Sequence, residues 1–326
     1  MKLDLKPYRG QHCETTATGT LLRQIGLECS EPMLFGLGEG LSFFFWKTKS
    51  MDYPFLGGRI KPDLLTKNIA RNLGLRLTVR ESSSRERAWR SVKELLDSGK
   101  AVGLKLDCYH LEYFSHPIHF AGHYVAIVGY DEESAFLVDT EQQSSEAKTS
   151  LRSLSEARAE RGSMSSRNLY YVIERGAEVT PLREAIESAI QNNAECYLNP
   201  PIKNSSYKGI EKAGREIVAW FDRSQNRKEE FGMSAMLMER AGTGGAIFRN
   251  LYRDFLGEAY KLTEREGIGR AYERFRGIAR SWSELIALLE KVAEEEDRRD
   301  ILEASERLKE LSEREREAMQ LLLAGD

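Results

Sequence analysis

The spacing of apolar residues changes near residue 180, and this change constrains the fold more than any other feature of the chain. Before it, apolar residues three or four positions apart, which is helical spacing, are mixed with short apolar runs typical of strands. Beyond it, only the helical spacing continues. Because a chain of 326 residues suggests about two domains, we predict an α+β domain at residues 1–178 and a mostly α-helical domain at residues 179–326.

The first predicted domain mixes helices and strands. Its helices are predicted at residues 11–26, 62–73, 85–98 and 153–161, and its strands at residues 76–80, 101–106, 124–130, 135–139 and 169–174. The strand at 124–130 is continuous and β-rich, which is typical of a buried central strand, and a short turn joins it to the next. The helices of the second domain are predicted at residues 182–195, 209–222, 229–240, 245–266, 268–291 and 296–323. The last of these is dense in Glu and Arg, which is typical of a solvated face, although an oligomerising helix and a homodimer stay open.

Composition argues against several classes of protein. With 48 Lys and Arg against 51 Asp and Glu, the net charge of −3 argues against a dedicated nucleic-acid binder. A mean hydropathy of −0.50, with no apolar run approaching ~18 residues, argues against a membrane protein. The N-terminus lacks the apolar stretch of a signal peptide, and four scattered cysteines are expected to be free thiols in a reducing cytosol. We therefore expect a cytoplasmic protein with neither nucleic acid nor membrane as a partner.

Three residues far apart in the sequence form a candidate catalytic set. Cys13 lies in the first turn of a predicted helix, where the helix dipole and the N–H groups favour the nucleophilic thiolate. His123 begins the apolar strand and Asp139 ends the next one, so a hairpin would bring both to the same end. A carboxylate beside a histidine fixes its tautomer and stabilises the imidazolium that pairs with a thiolate. A lone cysteine at a helix start is more often structural than catalytic, so the prediction depends on all three residues.

Two parts of the sequence resemble known families. Residues 122–131, GHYVAIVGYD, resemble the histidine strand of papain-like peptidases, including those that process bacteriocin leaders. A closer resemblance, to the N-terminal domain of the butirosin-biosynthesis protein H family, is carried by His12-Cys13-Glu14, Leu21-Leu22, Ser30-Glu31 and the LFGLG of residues 34–38. It covers roughly residues 10–175, and residues 209–220 and 244–259 resemble the helical domain that commonly accompanies that family.

The resemblance implies a papain-like domain that transfers an acyl group from an acyl carrier protein thioester to an amine. Carried over residue by residue, it makes Cys13 the nucleophile, His123 the general base and Asp139 the residue that orients His123. It implies a cytosolic acyltransferase or amide synthase in specialised metabolism, with a small-molecule amine as acceptor. The protein would need no cofactor, because the donor protein carries the phosphopantetheine arm. Two alternatives stay open: a papain-like cysteine peptidase or amidase, and a non-catalytic binding module.

The oxyanion site departs from the papain-like pattern. Papain-like peptidases usually place a Gln about six residues before the cysteine, where this chain has Pro7. Gln11 and His12 lie nearby but at a different spacing, and the backbone N–H of Cys13 could supply one donor. This departure weakens the peptidase hypothesis more than the acyl-transfer hypothesis, since a thioester is already activated.

Further candidates for substrate binding precede the central strand in the sequence. Glu31 could hold the acceptor amine, or it could begin a helix that Ser30 caps, which is the alternative we favour. His119 is predicted to lie in a loop lining the cleft near His123, and Tyr109 is a weaker candidate for the same cleft.

A group of metal-ligand residue types precedes the same strand. Its members are Cys108, His110, His116, His119 and His123. Their crowding suggests zinc, and a helix would align His119 with His123, but Pro117 interrupts a helix there and the following residues are strand-like. We therefore predict no metal site, with Cys108 a buried thiol and both His110 and His116 surface residues.

Overall fold

The chain divides into two compact units. The structure, a computed structural model, describes residues 1–49, 51–115, 118–161, 164–239 and 245–324. The sheet unit comprises Met1–Leu34 and Pro62–Thr180, and the helical unit comprises Phe35–Lys61 and Pro181–Asp326. The change of unit after Thr180 lies close to the predicted boundary at 178, but the segment Phe35–Lys61, which we placed in the first domain, groups with the helices. The predicted α+β class is confirmed.

Helices and strands alternate up to Thr180, and helices alone follow. The described residues contain the strands β1 (Leu41–Trp46), β2 (Phe55–Arg59), β3 (Arg76–Arg80), β4 (Val102–Leu106), β5 (His123–Tyr130), β6 (Ser134–Val138), β7 (Ala147–Ser150) and β8 (Tyr170–Glu174). They also contain the helices α1 (Cys13–Gln24), α2 (Glu31–Leu37), α3 (Leu64–Asn72), α4 (Arg85–Asp97), α5 (Leu151–Ala159), α6 (Leu182–Leu198), α7 (Ser206–Arg223), α8 (Arg227–Glu239), α9 (Ala246–Thr263), α10 (Glu266–Glu295) and α11 (Arg298–Leu323). None of the helices in the described residues has both the length and the apolar character needed to cross a bilayer.

One antiparallel sheet organises the sheet unit. Over the described residues its strand order is β3-β8-β4-β5-β6-β7, so β5 lies inside the sheet between β4 and β6. Side chains alternate between the two faces. Val125 and Ile127 on one face join a core cluster with Val92 of α4 and Leu154 of α5. On the other face α1 packs against β5, and its Thr18 hydroxyl bonds the Tyr171 hydroxyl at 3.2 Å. The buried central strand is therefore confirmed, covered by helices on both faces.

The sequence missed the shortest elements of the sheet unit. Every helix and strand predicted for residues 62–174 is present. The structure also has β7, which was not predicted. It has only four residues with mixed burial, too few for a periodic signal. The predicted stop of α1 is correct: Gly26 has φ 76°, and the N–H of Leu27 reaches back to the Leu22 carbonyl at 3.0 Å.

The helical unit contains all six helices predicted beyond residue 180, together with the unpredicted hairpin of β1 and β2. A fully buried ion pair lies at its centre. Arg249 of α9 donates from Nε and Nη2 to the two carboxylate oxygens of Glu315 on α11, each at 2.8 Å, and from Nη1 to the carbonyls of Ser42 and Gly58. Trp282 and Tyr197 also donate to the Glu315 carboxylate. This pair is satisfied on every side, as a buried charge pair requires.

Glu315→Gln should destabilise the helical unit by about 3–5 kcal/mol, because it leaves the buried Arg249 cation without its counter-charge. The matched control is Glu313→Gln on the same helix, where an exposed carboxylate pairs with Arg316, and a change within about 0.5 kcal/mol is expected. Urea unfolding of the full chain, followed by far-ultraviolet circular dichroism, measures both. Equal midpoints for the two variants would show that the buried pair contributes no more than a surface pair.

Candidate active site

Cys13 is the first residue of α1, and its side chain is almost fully buried. The residue before it, His12, has extended backbone angles (φ −104°, ψ 131°), so the helix begins at the cysteine itself. The N–H groups of a first helical turn lack partners within the helix and make that end of the helix favourable for an anion. Because α1 packs against β5, the cysteine is carried on a helix that lies against the strand beginning at His123.

The segment before Cys13 is held by a half-buried carboxylate. Glu31 accepts the backbone N–H groups of Gln11 and His12, at 2.9 and 2.8 Å, and the Thr15 hydroxyl at 2.7 Å. Burial raises the pKa of Glu31 even though these three hydrogen bonds act to lower it. Its carboxylate oxygens are thus directed at the chain's own donors, which makes Glu31 a residue that positions the cysteine.

Ser30 caps α2, as the sequence analysis favoured. Its Oγ accepts the backbone N–H of Met33 at 3.0 Å. The neighbouring Glu31 opens the helix, and its side chain turns back toward the segment before Cys13. These contacts give both residues of the Ser-Glu pair a structural use.

His123 and Asp139 are brought together as predicted for a hairpin. The pairing of Ala126 with Val138 places both at the same end of β5 and β6, and His123 Nε2 lies 2.8 Å from Asp139 Oδ2. Asp139 is completely buried, and its other oxygen accepts the Thr140 N–H at 2.6 Å. Burial alone lowers the pKa of His123, but the Asp139 carboxylate, aided by Cys108, outweighs it, so that pKa lies well above its ordinary value. The arrangement therefore favours an imidazolium at neutral pH.

Tyr113 completes this group and was not singled out by the sequence analysis. Its hydroxyl donates to the same Asp139 Oδ2 at 2.8 Å. Burial first, and then the charge of Asp139, raise the pKa of Tyr113 well above its ordinary value, so the phenol stays a donor. The adjacent Phe114 ring meets the His123 ring edge-on, with centroids 5.4 Å apart. Both residues lie between β4 and β5, where no periodicity marks them in the sequence.

A second thiol lies beside the imidazole. Cys108 opens a short 3₁₀ helix directly after β4, is buried, and lies close enough to His123 to help raise the pKa of that histidine. The sequence analysis correctly made Cys108 a buried thiol but gave it no connection to the site. Cys108 thus lies beside the histidine, whereas Cys13 lies at the start of the helix that packs on β5.

The weaker candidates have different surroundings. Gln11 is exposed and contributes its backbone N–H to Glu31, whereas His12 is buried and its carbonyl accepts the Thr16 hydroxyl at 2.8 Å. The rings of Tyr109 and His119 stack at 3.9 Å, and both are exposed. His116 and Pro117 lie outside the described residues.

Comparisons with known proteins identify both parts of the chain. The family model described as "Domain of unknown function (DUF4872)" matches residues 152–322, and the model described as "Butirosin biosynthesis protein H, N-terminal" matches residues 12–140. No curated protein matches the sequence. A solved structure described as a C39-like peptidase from Bacillus anthracis is similar at 15% identity and a TM-score of 0.34, over 54% of this chain and 92% of that one. The chain belongs to the DUF4872 family, and its residues 12–140 match the model of the N-terminal domain of butirosin biosynthesis protein H.

Proposed function

We propose that the sheet unit is a cysteine-dependent acyltransferase that forms amides, taking an acyl group from a carrier-protein thioester. The observation that carries the proposal is the buried pair of His123 and Asp139 at the start of β5, the strand against which the helix of Cys13 packs. A histidine with a raised pKa beside a thiol is the arrangement that generates a nucleophilic thiolate. The match to a biosynthesis family favours bond formation over degradation.

The proposed reaction has two steps, which use only Cys13 and His123 of this chain and need no cofactor. The Cys13 thiolate attacks the thioester carbonyl, and the carrier sulfur leaves with a proton from the His123 imidazolium. The acceptor amine then attacks the acyl-cysteine, loses a proton to His123, and releases the Cys13 thiolate as the amide forms. Because sulfur replaces sulfur in the first step, the enzyme mainly has to orient the partners and keep water from the acyl-cysteine.

Asp139 would determine which nitrogen of His123 performs this proton transfer. Its Oδ2 accepts a hydrogen bond from Nε2, so Nδ1 is left as the nitrogen that exchanges protons with the sulfur and the amine. The carboxylate stabilises the imidazolium, and the hydrogen bond from the Tyr113 hydroxyl fixes the orientation of that carboxylate.

The nucleophile is tested by comparing two alanine variants of buried cysteines. Cys13→Ala should abolish the acyl-enzyme, because it removes the attacking sulfur, while Cys108→Ala should retain it. The measurement is the intact mass of the protein after incubation with an acylated carrier protein, or with a small acyl thioester as a surrogate. Circular dichroism of both variants verifies that they are folded.

Each other outcome rejects part of the proposal. An acyl-enzyme that survives in Cys13→Ala and disappears in Cys108→Ala would transfer the nucleophilic role to Cys108, which lies beside His123. Acylation by peptides or simple amides as fast as by thioesters would favour a peptidase or amidase. A wild-type protein in which neither thiol is acylated by a thioester, nor alkylated by iodoacetamide at neutral pH, would favour a binding module.

Asp139→Asn should shift the reactivity of the nucleophilic thiol to higher pH. Without the carboxylate the pKa of His123 falls, the imidazolium is lost at lower pH, and a higher pH is needed to form the thiolate. Turnover should fall by about 10²- to 10⁴-fold, because the wrong histidine tautomer is favoured. The rate of iodoacetamide alkylation against pH measures the shift. Asp131→Asn, in the exposed turn of the same hairpin, should leave the profile unchanged.

Tyr113→Phe should reduce turnover by about tenfold and leave KM unchanged. It removes one hydrogen bond to the buried carboxylate, worth about 1.5 kcal/mol, without removing a group that acts on the substrate. Tyr130→Phe is the matched control, since it also removes a hydrogen bond from a tyrosine to a carboxylate. That bond, to Asp97, is exposed and lies at the end of β5 opposite His123. Steady-state kinetics of the two variants measure the difference, and equal turnover would show that Tyr113 only fills space.

A further inference from the structure

Three metal-ligand side chains converge on the surface of the sheet unit. His110 ends the 3₁₀ helix after β4, His119 lies in the loop before β5, and Glu160 follows α5. One ligand atom from each lies within 4.8 Å of the others, and His110 Nε2 lies 3.0 Å from Glu160 Oε2. Two atoms bound at about 2.1 Å to one tetrahedral metal are about 3.4 Å apart, so shifts of about an ångström complete the geometry.

The two imidazoles each have a carboxylate behind them. Asp107 is buried and its Oδ2 lies 3.2 Å from His119 Nδ1, while the Glu156 carboxylate lies 3.9 Å from His110 Nδ1. Both contacts engage Nδ1, which leaves Nε2 of each ring as the nitrogen toward a ligand. A carboxylate behind the histidine is the usual support of a metal-bound imidazole, because it fixes the tautomer and makes the free nitrogen more basic.

The His119 ring is also held in its plane. The Tyr109 ring stacks on it with centroids 3.9 Å apart and an interplanar angle of 14°. Asp107 behind it is fixed by the backbone N–H groups of Tyr109 and Phe120, at 2.9 and 3.0 Å. An exposed histidine with a buried carboxylate on one side and an aromatic ring on its face is more restrained than a solvated surface residue.

We propose that His110, His119 and Glu160 bind a divalent transition metal of the Zn²⁺ class, with water at the fourth position. Two imidazoles and one carboxylate suit Zn²⁺, whereas Mg²⁺ and Ca²⁺ prefer oxygen ligands alone. The site differs from the one we considered and set aside in the sequence, where His119 was paired with His123. That pairing needed a helix, while the set observed here is assembled from a loop, a 3₁₀ helix and the end of α5.

The metal would connect the segment that leads to His123 with α5. Asp107 and Cys108 follow β4, and the Cys108 N–H donates to the Phe120 carbonyl at 3.3 Å near the end of the loop. A metal bound to His110 and His119 would therefore join the chain segments on both sides of this contact. Because it would bind only the folded state, it would raise the free energy of unfolding. The proposal concerns stability, so it does not depend on the proposed acyltransferase activity.

Metal titration of the purified full chain tests the proposal. Zn²⁺ measured by isothermal titration calorimetry should bind at one saturable site and raise the melting temperature. His119→Ala and Glu160→Gln should each weaken binding by at least about tenfold and abolish the thermal shift. The control is Glu133→Gln, an exposed carboxylate in the β5–β6 turn, which should bind Zn²⁺ like the wild type.

Co²⁺ in place of Zn²⁺ separates this site from metal capture by the cysteines. The expected spectrum has visible bands but no intense thiolate charge-transfer band in the near ultraviolet. A thiolate band, equal affinity in the wild type and both ligand variants, or the lack of a saturable site would each overturn the proposal. In that case the contact between His110 and Glu160 is an ion pair only.

Discussion

A carboxylate removed from water holds the candidate active site together. Asp139 is completely buried, and an isolated buried charge of this kind would be strongly unfavourable. It is tolerated because the Thr140 N–H, the Tyr113 hydroxyl and His123 Nε2 all point at it. The carboxylate held in this way orients the histidine and favours its protonated form. The placement of the His123 imidazole and the compensation of the buried Asp139 charge therefore depend on the same contact, which the β5–β6 register brings about.

Periodic signals made much of this fold predictable. The helices beyond residue 180 repeat apolar residues at helical spacing, and the apolar strand, the turn and the next strand form a hairpin whose end had to carry His123 and Asp139. The Cys13 position followed from a helix start and a glycine stop. Signals of this kind depend only on neighbours along the chain, which is why one sequence was enough to show them.

The residues that the sequence did not reveal depend on contacts between distant segments. Tyr113 and Cys108 lie between β4 and β5, where nothing in their spacing indicates that Tyr113 bonds Asp139 or that Cys108 lies beside His123. Glu315 looks like one more charge in a solvated helix, yet it is fully buried against Arg249, which lies 66 residues earlier. Of the Glu residues of α11, only Glu315 is buried. The helical spacing of apolar residues is too weak in this highly charged helix to identify that position.

A buried carboxylate contacts a histidine at two places in the sheet unit, with different consequences. Asp107 and Asp139 are both buried carboxylates, and each contacts one ring nitrogen of a histidine, His119 and His123 respectively. His123 is itself buried, so the carboxylate acts at short range in a medium of low dielectric constant and strongly favours the protonated ring. His119 is exposed, so its carboxylate mainly fixes the ring and leaves the outer nitrogen open to a ligand from solvent. Burial of the histidine, rather than the identity of the pair, therefore determines whether the arrangement is suited to proton transfer or to metal binding.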